Sequence, residues 1–434
     1  YAMPGSESVR ALLDDLTAAG RRVMILNYRT IMRRPDLGFV GLGRHRAVRI
    51  SLLFPHGWRE RFPLLLGESA MAHFLASPVT SILRTVAPLH LNVGVFAWTA
   101  MRWLSAERLF VFPTRNTYMR ILAQGARLAG TPSFEVQAVL GGRMVRHRAP
   151  NTDICSVLET WSHDYFVSYL GYPRSRLVCG GSNRYDALIG RARTELTPEV
   201  IDATRTAACG DDPRPIVLFG TQPMQMADNL VALDTLLAAL NGRHDVQIVV
   251  KLHPAEPPAN LAVYADAGRR HPDAPDVRVV QDIDVYALMA ASAVVCAQTS
   301  NILIEAALLR RRAVALHVGD FDAPIDFEAM GCARVASNRA ELTAELTEIL
   351  AAPPGEAAVD RLQAGFLASN PQMLDERFIE RTIATGLALR RDGRRDRFAA
   401  LLADLRGALG TAPAAEDTST PARAIAGAAA SAAE

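Results

Sequence analysis

The chain has 434 residues, half of them apolar, which exceeds the size at which one hydrophobic core keeps growing and implies two packed domains. Its 47 basic residues are balanced by 45 acidic ones, and the net charge of +2 excludes a global electrostatic attraction to nucleic acid. Five cysteines (Cys155, Cys179, Cys209, Cys296, Cys332), scattered and without CxxC spacing, argue against a disulfide framework or a structural zinc site.

At the N-terminus a helix over 11–20 and strands over 22–28 and 48–54 are expected, with no secretion signal ahead of them. The longest apolar stretch, 91–101, is too short to span a bilayer and is followed by Arg102. A cytoplasmic location follows, with peripheral contact at the inner membrane face left open through the Arg-bearing N-terminal part. From Arg108 the pattern becomes regular: strand 108–113, helix 117–130 ending at Gly130, strand 132–139, strand 153–158, helix 162–172 and strand 176–182. The polar segment 191–215 carries a Thr-Pro-Glu helix start and ends in Asp-Asp-Pro-Arg-Pro, which marks the crossing between domains.

A second alternating series follows, with strands at 215–220, 246–252, 277–280, 293–298 and 312–316, and helices at 229–240, 260–270, 284–292 and 301–310. A last helix is expected at 398–409. The end of the chain is rich in Ala, Pro and small polar residues, a composition that cannot bury enough surface to fold alone. The expected fold is therefore α/β, with two Rossmann-like domains facing across a cleft, at 1–195 and 196–405, followed by a helix end and disordered tail at 406–434.

Ligands in such sheets sit outside the carboxyl ends of the strands. Three strand ends in the second domain suit a phosphate. The first runs into Gly220, Thr221 and Gln222, a small turn whose N–H groups can approach an anion. The second ends in Lys251, the only lysine of the chain, then Leu252, His253 and Pro254. The third ends at Thr299, Ser300 and Asn301, hydroxyls opening a helix whose free N–H groups and dipole attract anions. Glu305, a turn further on, could accept hydrogen bonds from ribose hydroxyls.

With the Lys-Leu-His-Pro and Thr-Ser pairs in this order, the chain resembles glycosyltransferases of the two-Rossmann GT-B type with an HP motif and an S/T-S motif. These are bacterial capsule and lipopolysaccharide Kdo- and sialyltransferases, related to the polymerases that use CDP-glycerol. The likeness runs over roughly 109–350 and includes the Ser-Asn-Arg-Tyr-Asp stretch at 182–186. It implies that His253, Thr299 and Ser300 bind the phosphate of a nucleotide-sugar donor, a CMP-sugar above all, in transfer to a surface-glycan or lipid-linked acceptor. One departure stands out: where many relatives carry Gln-His-Gly, this chain has Gln137-Ala138-Val139, so no catalytic histidine stands there.

Glycosyl transfer needs a base or nucleophile from the opposite domain. Glu135 at the end of strand 132–139 is the expected one, with Asp153 and His147 behind it. Gln137 and the loop arginines Arg143, Arg146 and Arg148 could hold an acceptor or a sugar carboxylate through bidentate pairs. The two Asp-x-Asp patterns, at 282–284 and 320–322, read as a helix cap and a turn, so metal- and cofactor-independent chemistry is expected. Three alternatives stay open: transfer from CDP-glycerol or a UDP-hexose, epimerisation of a UDP-sugar, or a non-catalytic scaffold of the same shape.

Overall fold

A computed structural model describes residues 16–18, 20–21, 98, 101–102, 106–111, 117–137, 152–223, 226–319, 323–351 and 361–389. The expected N-terminal strands, Arg143, Arg146, His147, Arg148, the 320–322 pattern, the helix at 398–409 and the 406–434 tail lie outside these residues.

The first sheet contains β1 (Leu109–Val111), β2 (Ser133–Val136), β3 (Ile154–Val157) and β4 (Leu177–Cys179), all parallel and in chain order. Between them run α1 (Thr117–Leu128) and α2 (Thr160–Ser168), and α3 (Asn183–Thr194) follows β4. Helix α4 (Pro198–Cys209) opens the second unit with Thr197 as its N-cap and Pro198 in its first turn, where a missing N–H loses nothing.

The second sheet has six parallel strands in the order β10-β9-β8-β5-β6-β7. They are β5 (Ile216–Gly220), β6 (Gln247–Lys251), β7 (Val277–Val280), β8 (Val294–Ala297), β9 (Arg312–Leu316) and β10 (Arg334–Ala336). The intervening helices are α5 (Met226–Ala239), α6 (Asn260–Arg269), α7 (Val285–Ala291), α8 (Asn301–Leu308), α9 (Phe327–Met330), α10 (Arg339–Ala351), α11 (Arg361–Ser369) and α12 (Phe378–Ala388). β5 and β6 are buried along their whole length, which is why they read as unbroken apolar runs rather than alternating ones. Ile216 and Leu218 pack into one core layer, while Val217 and Phe219 pack into the other.

The two sheets share core and polar contacts. Leu158, Tyr185 and Leu188 from the first lobe belong to the same apolar cluster as Leu218, Val295 and Leu303 from the second. Helix α12, which the sequence places within the range 196–405, returns to the first sheet. Phe378 packs with Phe134 and Val136 of β2, and the Phe378 N–H donates to Asp186 of α3 at 2.7 Å. Its positioning depends on partners more than 190 residues away, which no local periodicity reveals.

Candidate functional site

The chain order of the second sheet reverses between β5 and β8. Strands β5, β6 and β7 step outward on one side, whereas β8, β9 and β10 step outward on the other. Such a reversal opens a crevice at the carboxyl ends of the two central strands. Here Gly220 pairs with Lys251 on one side and Ala297 on the other, so the three predicted strand ends are adjacent. A Cβ on Gly220 would stand 3.0 Å from Ile302 Cδ1, so the lack of a side chain lets the first turn of α8 close down on the end of β5.

The loop after β6 is held from several directions by a residue that the sequence reading missed. Glu256 is buried and accepts hydrogen bonds from the Thr221 hydroxyl, the His253 N–H at 3.1 Å, Asn260 Nδ2 at 3.1 Å and the Tyr264 hydroxyl at 3.0 Å. The His253 N–H also donates to Thr221 Oγ1 at 3.0 Å, and Gln281 Nε2 donates to the Glu256 carbonyl at 2.9 Å. Thr221 thus braces the loop rather than facing an anion. The available signal was spacing: Glu256 follows His253 by three residues in a turn opened by Pro254.

His253 is half-buried, and its Nδ1 accepts from the Ala255 N–H at 3.1 Å. Burial, then the neighbouring Lys251 and Arg184 charges, push its pKa below the ordinary imidazole value against the opposing pull of Glu256. A neutral ring that accepts at Nδ1 carries its proton on Nε2. Nε2–H is then a fixed donor, the form that suits a phosphate oxygen. Pro254 is exposed beside it.

On the other side of Gly220, Thr299, Ser300 and Asn301 are half-buried at the start of α8. Ser300 is the N-cap, its Oγ accepting from the Ile302 N–H at 3.4 Å. Just before them, Gln298 is 1% exposed, and among the described residues neither its Oε1 nor its Nε2 has a hydrogen-bond partner; Gln222 Nε2 at the end of β5 is likewise buried and has none among them. Orphaned buried amides are costly unless something else satisfies them.

Other expected site residues are placed differently. Lys251 is buried, lies on the sheet face of Val249, and turns its ammonium back to the Leu252 carbonyl at 2.9 Å, with Asp282 and Glu256 for company. Burial lowers its pKa. Through that bond it anchors the strand end. Glu305 is 1% exposed and ion-paired with Arg184, which reaches over from the first turn of α3. Its carboxylate is therefore engaged by a cation rather than open to ribose. The Asp284 side chain accepts from the Tyr286 and Ala287 N–H groups, the cap expected of it.

In the first lobe, Glu135 sits inside β2, buried on the face that carries Cys155 and Tyr172, opposite the face of Phe134 and Val136. It is the residue before last of the strand, paired with Val111 at the end of β1, and its burial leaves it little open to a substrate as a base. Asp153 precedes β3 and binds Ser133, the first residue of β2, through that residue's N–H at 2.9 Å and hydroxyl at 3.0 Å. In a parallel sheet this is the amino edge, the end remote from the crevice. Gln137 does leave β2 at the carboxyl edge, where its Oε1 accepts from the Leu158 N–H at 3.3 Å. At that edge too, Glu159 caps α2 through Ser162, fully buried, and burial raises its pKa to about 7.

A groove of about 680 Å³ between α2, α9 and α11, lined by Thr160, Met330, Arg334 and Phe366, includes none of the expected site residues. Among the described residues no three His, Cys, Asp or Glu side chains are grouped to hold a metal, and no helix is long and apolar enough to cross a membrane.

No protein-family model matches the chain, and no curated protein matches it. Solved structures do. A glycosyltransferase from Rickettsia africae aligns over 89% of this chain and 94% of its own, at 9% identity and a TM-score of 0.54. A UDP-GlcNAc 2-epimerase from Neisseria meningitidis bound to UDP-GlcNAc aligns over 69% and 81%, at 14% identity and a TM-score of 0.48. The UDP-GlcNAc 2-epimerase from Methanocaldococcus jannaschii gives 64% and 80%, at 12% and 0.44. The first of these establishes that the fold is GT-B-like, two parallel α/β lobes in tandem.

Proposed function

We propose that the chain is an enzyme of sugar-nucleotide chemistry and that the nucleotide's phosphate sits at the β5/β8 switch point. One observation carries the reading: His253 and the N-terminus of α8, with Thr299 and Ser300, flank Gly220 on adjacent strand ends. A neutral imidazole N–H, two hydroxyls and the free N–H groups of a helix end are donors of the kind a phosphate needs, and they stand in the crevice where α/β sheets bind ligands. The amides of Gln222 and Gln298, buried and without a partner among the described residues, supply further polar contacts for such a ligand.

Two reactions fit this site. Transfer of the sugar to an acceptor is the first, supported by the likeness to a glycosyltransferase over nearly the whole chain. In that reading Gln137, Arg143, Arg146 and Arg148 serve the acceptor, and His147 replaces Glu135 and Asp153 as the base to test. The Kdo or sialic donor rests on the two short motifs alone. Epimerisation of a UDP-sugar is the second, favoured by the absence of the histidine that many transferases carry after Gln137.

Calorimetric titration with UDP, CDP and CMP tests the shared step. One of them should bind, and His253→Ala should weaken it by about tenfold, the value of one charge-assisted hydrogen bond. Failure of all three to bind overturns the proposal. Product analysis of the matching sugar nucleotide without acceptor then separates epimerisation, which proceeds, from transfer, which does not.

A further inference from the structure

We propose that Arg184 is a phosphate ligand, contributed by the first lobe to the nucleotide site of the second; this rests on the sugar-nucleotide reading above. Arg184 lies in the first turn of α3, its N–H held by the Ser182 N-cap at 3.2 Å. From there its guanidinium crosses to α8, where Nε pairs with Glu305.

The asymmetry of that ion pair is the informative feature. Glu305 is 1% exposed, while 45% of the Arg184 side chain remains open to solvent. The pair with Glu305 is made through Nε, and a planar fork with five donors, partly exposed, can serve a second partner as well. The partner's sign follows from what surrounds it. Through Glu305 the guanidinium is fixed to α8, whose Ile302 closes on Gly220, and Gly220 pairs with Lys251 at the strand end that leads into His253. The N-terminus of the same helix, a partial positive charge capped by Ser300, lies a turn before Glu305. Glu305 neutralises one unit of charge at Arg184, and the Glu256 carboxylate is spent on the Thr221, His253, Asn260 and Tyr264 donors of its own loop, so the exposed part of the guanidinium, the imidazole donor and the helix end are left to share an outside acceptor. A phosphate group supplies it, and a guanidinium binds phosphate through two parallel N–H contacts.

A purely structural role, neutralising buried Glu305, predicts a different outcome from ligand binding. Because Arg184→Gln alone would strand that carboxylate, the comparison is between Glu305→Gln and Arg184→Gln/Glu305→Gln, both with the buried charge removed. Each is titrated with UDP and uridine, and with CDP and cytidine. Relative to Glu305→Gln, the double variant should bind the diphosphate about tenfold more weakly, with nucleoside affinity changed less than about twofold. Equal weakening of nucleotide and nucleoside, or none, overturns the assignment. If the wild-type chain binds no nucleotide, the sugar-nucleotide reading fails first; if it binds and the double variant matches Glu305→Gln, only the role of Arg184 falls.

Discussion

Glu159 is the residue whose chemistry departs furthest from expectation. It caps α2 with no exposed surface, accepting from the Ser162 N–H at 2.7 Å and from the Ser162 hydroxyl. Burial lifts its pKa from 4.5 to about 7, against the Ser162 hydrogen bonds that pull the other way. Below pH 4.5 the carboxyl is protonated in both folded and unfolded chains. As pH rises from there to 7 the unfolded chain ionises first, so stability falls across that window by about 3 kcal/mol and stays lower above it. Glu159→Gln keeps an oxygen for the Ser162 N–H and removes the ionisation. Urea denaturation at pH 5 and pH 8 should show the variant gaining on wild type at pH 8 while nearly matching it at pH 5. Parallel curves would mean that the buried group is ionised throughout. No sequence pattern announces such a group, because Glu-Thr-Trp-Ser before a helix looks like any solvated N-cap.

At the level of elements, the loop after β6 behaves as one braced unit, and Glu256 is its keystone. Removing that carboxylate takes the acceptor from Asn260 and the buried Tyr264 hydroxyl, and leaves the His253 N–H only Thr221 and the Thr221 hydroxyl only the Lys251 carbonyl at 3.4 Å. Glu256→Ala should therefore lower stability by about 2–4 kcal/mol and weaken nucleotide binding through the loosened His253 backbone. Tyr264→Phe, which loses a single donor, should cost about 1 kcal/mol and leave binding intact. Nucleotide affinity at wild-type strength in Glu256→Ala would show that the loop needs no brace. Elements of this kind were unevenly legible. Continuous apolar runs such as 216–220 and 247–251 identify buried parallel strands directly, and the Thr-Ser hydroxyls and His253 could be placed on strand ends from them. β10 escaped because three residues, one of them an arginine, carry no periodicity. The burial of Glu135 was not legible because the period of two says that side chains alternate without saying which face is which. Asp153 was misread because it precedes its strand, and only parallel pairing puts that position at the far edge.

Across the whole molecule, the lobes are tied by a helix that comes home. After completing the second sheet the chain runs through α11 and returns as α12, whose start and end are both fastened to the first lobe. At its start the Phe378 N–H meets Asp186, and at its end Arg108 donates to the carbonyls of Gly386 at 3.0 Å and of Leu387 and Leu389, both at 2.8 Å. Helix C-termini leave their last carbonyls unpaired, and an arginine from another element satisfies three of them here. Between these ends Gly386 lets the Phe110 ring approach, since a Cβ would stand 2.5 Å from it. With Leu158, Tyr185 and Leu188 packed into the second lobe's core, this return couples two sheets that could otherwise melt separately. Calorimetry of the wild-type chain should accordingly give one cooperative transition. Arg108→Ala with Asp186→Ala unfastens both ends of α12 without touching either sheet's hydrogen-bond ladder or any residue of the nucleotide site. The double variant should resolve into two transitions, the lower one belonging to the four-stranded first sheet, and added nucleotide should raise the upper one. A single transition shifted downward as a whole would show that the shared core alone couples the lobes, and that α12 contributes stability without being the link.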